Sequence, residues 1–299
     1  METNKKSVSI KSWFTAIRPR TLPAALAPIV VGTAMAFADD AFQALPCLAA
    51  FIGALLLQIT VNLANDYFDF TKGVDSDDRV GPIRVIQKGI ISLSMMRFAI
   101  AVTLGVSLLI GIYLIYVGGW PILAIGVASI LAALAYSGGP YPLGSHGMGD
   151  LLVFIFFGLV AVCGTYYLQT IRLTYIVVVV SIPMGLLITA ILVVNNMRDI
   201  ETDREAMKYT LAVILGRKGA MIEYFLLLAG AYLIPILLYA AGIFSPSILL
   251  TFLSLPFAVY LTGRVFNEKG RVLNAVLAKT AQLTLIYSLL FSAGIILSN

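Results

Sequence analysis

The chain alternates long apolar runs with short polar breaks. A helix that crosses a bilayer needs roughly 20 mostly apolar residues. Nine runs approach or meet that length, at about 22–38, 45–65, 95–117, 120–136, 150–170, 173–195, 220–241, 246–262 and 275–297. The pattern predicts an all-α, polytopic membrane protein with nine transmembrane helices. The first and eighth runs are short. Several runs contain Pro or Gly, which membrane helices tolerate better than soluble ones do. The turns at Val117–Gly119 and Ile171–Leu173 are tight, and no linker marks a second domain, so residues 1–299 read as one domain.

Composition agrees with the pattern. Of the 299 residues, 60% are hydrophobic and 12% are charged, against roughly 25% charged in soluble domains. The basic residues then orient the helices. With the N-terminus in the cytoplasm, 19 of the 20 Lys and Arg residues fall on the cytoplasmic side, and Arg172 alone falls outside. This distribution obeys the positive-inside rule and supports the helix parity. The net charge of +5 therefore reflects membrane topology. No soluble basic domain exists to bind nucleic acid. Cys47 and Cys163 fall inside apolar runs and read as buried thiols without a disulfide. Arg18-Pro19-Arg20 interrupts the N-terminal stretch, and no cleavage site of small residues follows, so no removable signal peptide is expected.

Two long polar loops follow the second and sixth helices. One carries "NDYFDFTKGVD", Asn65 to Asp75, and continues to Arg84; the other carries "NNMRDIETDR", Asn195 to Arg204. Four crossings separate them, an even number, so both emerge on one face. Asn65 and Asp69 are four apart, and Asp66 and Asp69 three apart. If the second helix continues past Asn65, these side chains share one side of it. Asn195, Asp199 and Asp203 stand at i, i+4 and i+8, which predicts a second column on one helix. Sets rich in oxygen, with no sulfur and a lone His146 in the whole chain, suit hard cations, Mg²⁺ above all. Mg²⁺ prefers a few carboxylates plus waters and substrate phosphates. Lys72, Arg79, Arg84, Arg198, Arg204 and Lys208 lie nearby to neutralise the remaining phosphate charge. The arrangement predicts a diphosphate bridged by Mg²⁺. At a membrane surface it fits an isoprenoid diphosphate whose tail dissolves in the bilayer. Departing pyrophosphate would leave an allylic carbocation for an electron-rich acceptor. One acid-rich loop reads most plainly as a solvated turn, as Asp77 and Asp78 still do. Two loops on one face, each with an Asn four residues before an Asp, argue for a site.

At these residues the sequence resembles the intramembrane aromatic prenyltransferases, the UbiA superfamily. The two acidic stretches resemble its paired aspartate-rich motifs. "WFTAIRPRTLPAALAPIVVGTA", "YSGGPYPLGSHGMGD" and "FFGLVAVCGTYYLQT" are similar to its naphthoate-prenylating branch of menaquinone biosynthesis. The resemblance implies nine helices around a central cavity capped by cytoplasmic loops, in a bacterial inner membrane. It implies Mg²⁺-dependent transfer of a polyprenyl group from polyprenyl diphosphate to 1,4-dihydroxy-2-naphthoate, with loss of CO₂ and diphosphate, giving demethylmenaquinone. By position it makes Asn65, Asp69, Asp75, Asn195, Asp199 and Asp203 metal ligands. It gives Asp66, Asp69 and Asp199 catalytic roles, and one acid of the first motif deprotonates the acceptor hydroxyl. Two positions depart from relatives. Gly73 stands where the 4-hydroxybenzoate enzymes place an Asp, which matches the naphthoate branch. Ile214 stands where many naphthoate enzymes carry Arg, which moves any phosphate role there to Arg217 or Lys218.

Further candidates follow from position. Asn62 and Gln58 lie one and two turns before Asn65 and extend its side toward the cavity. Tyr136, Ser137 and Tyr141, in the bent loop after the fourth helix, are candidate acceptor-pocket residues. His146 reads as a solvent-facing loop residue. Gln169 and Gln282 are expected to make interhelical hydrogen bonds. Tyr116, Trp120, Tyr166 and Tyr167 are expected in an interfacial belt. The rival readings are prenyl transfer to another aromatic acceptor, such as 4-hydroxybenzoate or homogentisate, and a cation-coupled secondary transporter. A transporter places its acids near the bilayer midplane; here they cluster at helix ends.

Overall fold

The computed structural model describes residues 9–71, 85–137 and 141–298. Among them there is no β-strand. In lipid the backbone must satisfy its own hydrogen bonds, and a helix does so within one segment. The helices are α1 (Ile10–Ile17), α2 (Leu22–Ala38), α3 (Ala44–Thr71), α4 (Leu93–Gly118), α5 (Trp120–Ser137) and α6 (Gly149–Thr170). They continue with α7 (Tyr175–Arg198), α8 (Ile200–Glu205), α9 (Leu211–Ala240), α10 (Pro246–Asn267) and α11 (Leu273–Ile296). Among the described residues eight segments are long and apolar enough to cross a membrane, and α5 adds a shorter apolar helix. The protein is an all-α integral membrane protein, and the expected helices are all present.

Local chemistry sets several helix starts. Ser92, Thr174 and Thr210 accept the backbone N–H of Met95, Val177 and Val213, three residues on. Each supplies a partner for one of the four donors that a helix N-terminus leaves open. The apolar run at the N-terminus breaks at Arg18, whose φ of 54° is left-handed. Pro19 then begins a single 3₁₀ turn, Pro19–Thr21, that leads into α2. α9 begins nine residues earlier than the apolar run suggests, because it includes a short first piece. Gly216, at φ 67° and ψ 174°, kinks it there, a conformation open to glycine.

α7 is the central helix. It packs against α6, α9 and α11, while α2 packs against α6 and α11. In α7 67% of the apolar window is buried; in α4, which packs mainly on α3, only 6% is. α6 and α7 cross at two glycines. A Cβ on Gly158 would lie 2.4 Å from the Gly185 Cα, so the helices approach as closely as small residues permit. A π-helical stretch, Phe154–Val160, marks this crossing.

Some expectations change here. Tyr166 is fully buried and donates to Asp39, so it belongs to the core and not to an interfacial belt. Tyr116 and Trp120 are exposed as a belt requires. Gln169 makes the expected interhelical bond, donating Nε2 to Thr33 Oγ1 of α2 at 3.3 Å, and it also meets Gln43 in the turn before α3, receiving Gln43 Nε2 on its carbonyl at 2.7 Å; Gln282 is exposed on α11. Arg172 pairs with Asp39 at 3.0 Å.

Candidate active site

α3 continues past Asn65 to Thr71, so Asn62, Asn65, Asp66 and Asp69 are all helical. The three whose side chains are described divide between two sides. Asn62 and Asp66, one turn apart, are buried. Asn62 Nδ2 donates to the Ile17 carbonyl at 2.8 Å and to Thr21 Oγ1 at 3.1 Å, and Gln58 Nε2 donates to Asn62 Oδ1 at 3.5 Å. Asp66 Oδ1 receives Arg18 Nη2 at 2.6 Å, and its Oδ2 receives the Val85 N–H at 3.4 Å. Gln58, Asn62 and Asp66 thus hold the break between α1 and α2 against α3. A carboxylate 1% exposed is tolerated because a cation and a backbone donor meet it. Asn65 is exposed on the neighbouring side. The Asp69 backbone lies in the last turn of α3; its side chain, and Lys72, Asp75, Arg79 and Arg84, lie outside the described residues.

The second motif is built around one guanidinium. Arg198, in the last turn of α7, donates from Nε to Asp199 Oδ1 at 2.8 Å and from Nη2 to Asp199 Oδ2. Nη2 also donates to Asn195 Oδ1 at 3.0 Å, and Nη1 to Asn274 Oδ1 at 2.7 Å. The Arg198 side chain is 4% exposed. Asn195 and Asp199 therefore share one side of α7, as their spacing implies. Asp203 does not extend that column on the same helix. Asp199 ends α7 as its C-cap, with φ −101° and ψ 10°, and starts the separate α8. The Asp199 N–H reaches back to the Asn196 carbonyl, a tighter turn than an α-helix makes. Asp203 follows one turn into α8; Arg204 and Lys208 are exposed beside it.

The loop after α5 closes on this region. Ser145 accepts the Tyr209 N–H at 2.9 Å, and a Cβ on Gly147 would lie 3.0 Å from Ile214. Tyr136 packs under Gly144 and Gly149, with Asp150 and Asp203 as its charged neighbours. Tyr141 is exposed and stacks on His146 with centroids 3.6 Å apart. His146 is half-buried, with Nδ1 2.8 Å from the Pro142 carbonyl, and not fully solvent-facing. The Ser137 side chain lies outside the described residues. Arg217 points away, donating Nη2 to the Val265 carbonyl at 3.3 Å and to that of Glu268. It caps the C-terminus of α10, where a cation meets the orphan carbonyls.

Three residues of this region carry no expectation from the sequence. Arg18 neutralises Asp66, and the only hint of it is the charged Arg18-Pro19-Arg20 break. Asn274, in the first turn of α11, orients Arg198 across 76 positions of chain. Asp150 has both carboxylate oxygens buried without a hydrogen-bond partner among the described residues, and its sign is one acid opening an apolar run. α11 also packs against the Pro19–Thr21 turn. One helix therefore touches both the turn tied to Asp66 and the cation held by Asp199. Among the described residues no three Asp, Glu, His or Cys side chains cluster as a metal cage. The oxygens that do converge, from Asn195, Asp199 and Asn274, already surround a cation.

The family profile of the UbiA prenyltransferases matches residues 25–292. The chain belongs to the UbiA prenyltransferase family. It is 39% identical to a 1,4-dihydroxy-2-naphthoate octaprenyltransferase of Escherichia coli (strain K12), over 99% of each chain. UbiA folds solved from archaea are similar despite low identity. A homologue from Aeropyrum pernix K1 has a TM-score of 0.68 at 15% identity, covering 92% of this chain and 98% of the other. A homologue from Archaeoglobus fulgidus bound to DMAPP and Mg²⁺ has a TM-score of 0.66 at 16% identity, covering 96% and 100%. The UbiA fold thus extends across the chain, including both helix ends that carry the acidic motifs.

Proposed function

We propose that this UbiA protein transfers a polyprenyl group from polyprenyl diphosphate to 1,4-dihydroxy-2-naphthoate, releasing CO₂ and diphosphate and forming demethylmenaquinol, which a separate oxidation converts to demethylmenaquinone. The observation that carries this reading is the 39% identity, across 99% of each chain, to a relative named for that reaction. The acids at the ends of α3 and α7 support it. In this reading the protein sits in the bacterial inner membrane with its N-terminus and active site facing the cytoplasm, as the distribution of basic residues supports.

Asn65, Asp69, Asp75, Asn195, Asp199 and Asp203 would hold Mg²⁺. The donor set fits: it is all oxygen, and its second half holds a guanidinium in place. Bound there, Mg²⁺ supplies positive charge to the departing diphosphate. Arg198 orients Asn195 and Asp199. Arg204, Lys208, Lys72, Arg79 and Arg84 take the outer phosphate oxygens. Gln58, Asn62 and Asp66 act one step back, by fixing the Arg18–Thr21 turn. Asp66 already accepts from Arg18 and Val85, so the acceptor's proton goes to another acid of the first motif. Tyr136 and Tyr141 border the acceptor. C–C bond formation at the ring carbon that bears the carboxylate is balanced by loss of CO₂.

The test is incubation of purified protein with Mg²⁺, prenyl diphosphates of several lengths and one acceptor at a time, followed by mass analysis. Demethylmenaquinol, detected as demethylmenaquinone after oxidation in air, is the expected product, from dihydroxynaphthoate alone. Turnover with 4-hydroxybenzoate or homogentisate and none with dihydroxynaphthoate would move the acceptor assignment. No prenylated product with any acceptor would overturn the enzymatic reading.

A further inference from the structure

Away from the acidic motifs, two cations from different helices converge on one hydroxyl. Arg264 Nη1 donates to Tyr260 Oη at 2.7 Å, and Lys279 Nζ donates to the same oxygen at 3.4 Å. Both cations also lie over the Tyr260 ring, 5.8 and 5.1 Å from its centroid. Like charges so placed repel. Glu268 offsets one of them, with its Oε1 3.0 Å from Arg264 Nε. Among the described residues no carboxylate pairs with Lys279, so one positive charge remains uncompensated.

Position makes this informative. Lys279 lies six residues into α11, about 9 Å along its axis, and Tyr260 lies seven residues before the end of α10, about 10 Å in. Both helices are membrane spans, and Tyr260 is exposed on the outside of the bundle. A lysine at this depth extends its head toward the headgroup level, where it meets an anion or remains costly. Farther from the helix ends the exposed residues become apolar: Leu253 on α10, and Ile286 and Leu289 on α11. Lys279 and Ile286 are seven apart and so share a side of α11.

We propose that Tyr260, Arg264 and Lys279 form a binding site for one anionic phospholipid, its phosphate held by the two cations and its acyl chains along Leu253 and Ile286. Charge complementarity selects the occupant. A zwitterionic headgroup brings its own cation to a cluster already in excess, whereas phosphatidylglycerol leaves a net negative charge. The site is separate from the one that holds Arg198. Asn274 and Lys279 are five apart, about 140° around α11, so the side that reaches Arg198 is not the side that reaches Tyr260.

Native mass spectrometry and thermal melting of the full chain in detergent test this, with added phosphatidylglycerol, phosphatidylcholine or inorganic phosphate. The wild type should retain one phosphatidylglycerol through delipidation and melt at a higher temperature with that lipid than with phosphatidylcholine. Lys279→Gln alone should weaken retention about fivefold, and Lys279→Gln with Arg264→Gln by a further similar factor. Tyr260→Phe, which keeps the ring and both cations, should still retain the lipid, so a fold lost in the double variant leaves the single variants to decide. Equal retention by wild type and Lys279→Gln would overturn the proposal. So would equal melting shifts with the two lipids, or the full shift from inorganic phosphate alone.

Discussion

The two acid-bearing helix ends solve the same electrostatic problem differently. At the end of α3, Asp66 is neutralised by Arg18, 48 positions away, and the pair is sealed at 1% exposure on the acid. At the end of α7, Asp199 is neutralised by its neighbour Arg198, and the acid keeps 17% exposure. The first pairing ties two segments together, so it acts as architecture. The second is local, and its oxygens lie at a helix terminus where a ligand can approach. In the proposed function Asp199 handles substrate, so the two acids would be distinguished by where their cation comes from.

Substitutions can break or sharpen that contrast. Asp199→Asn keeps the volume but removes the charge, and should lower Mg²⁺-dependent turnover on the order of 10²–10³-fold with the melting temperature little changed. Initial rates across an Mg²⁺ titration check it; near-normal turnover would remove Asp199 from the site. Arg18→Ala should act on the fold instead. It leaves a buried carboxylate without its cation, at a cost of about 3–5 kcal/mol. Adding Asp66→Asn should recover part of that loss in thermal melting, and no recovery would mean the pair is not the cause. Asn274→Ala removes one oxygen from Arg198 and should weaken Mg²⁺ affinity about 10–100-fold, read by calorimetry as well as by rate. Thr21→Val removes the hydroxyl that Asn62 meets at 3.1 Å. It should cost about 1 kcal/mol with KM for both substrates unchanged. An altered KM would place the α1–α2 break in the substrate site.

The contrast also explains what could be read from the chain. The apolar run of helix two ends near residue 65, and the acidic column was conditional on the helix continuing; α3 does continue, to Thr71, because nothing in "NLANDYFDF" breaks a helix. The i, i+4, i+8 column after α7 was read by the same rule and is interrupted, because Asp199 serves as a cap between two helices. The break is in the backbone, at φ −101° and ψ 10°, while the Asp199 side chain turns to Arg198 instead of capping α8, and a spacing rule does not record it. Arg18 and Asn274 were missed for another reason. Their partners lie 48 and 76 positions away, and no periodicity records such a pairing. Tyr166 was assigned to the belt because it lies at a helix end, yet packing buried it against Asp39.

By itself the sequence determined the class and the run of apolar helices, and it predicts a shared face for the two acidic motifs. Each follows from how much apolar surface a segment must keep from water and from the parity of crossings, which are properties read along one segment at a time. Only the tertiary structure decided that Asp66 belongs to the scaffold, that Arg198 gathers Asn195, Asp199 and Asn274, and that α11 touches both the Pro19–Thr21 turn and Arg198. Those outcomes depend on which distant side chain reaches a buried charge first. That is settled by packing in three dimensions, because an ion left unpaired away from water costs more than most other contacts can return.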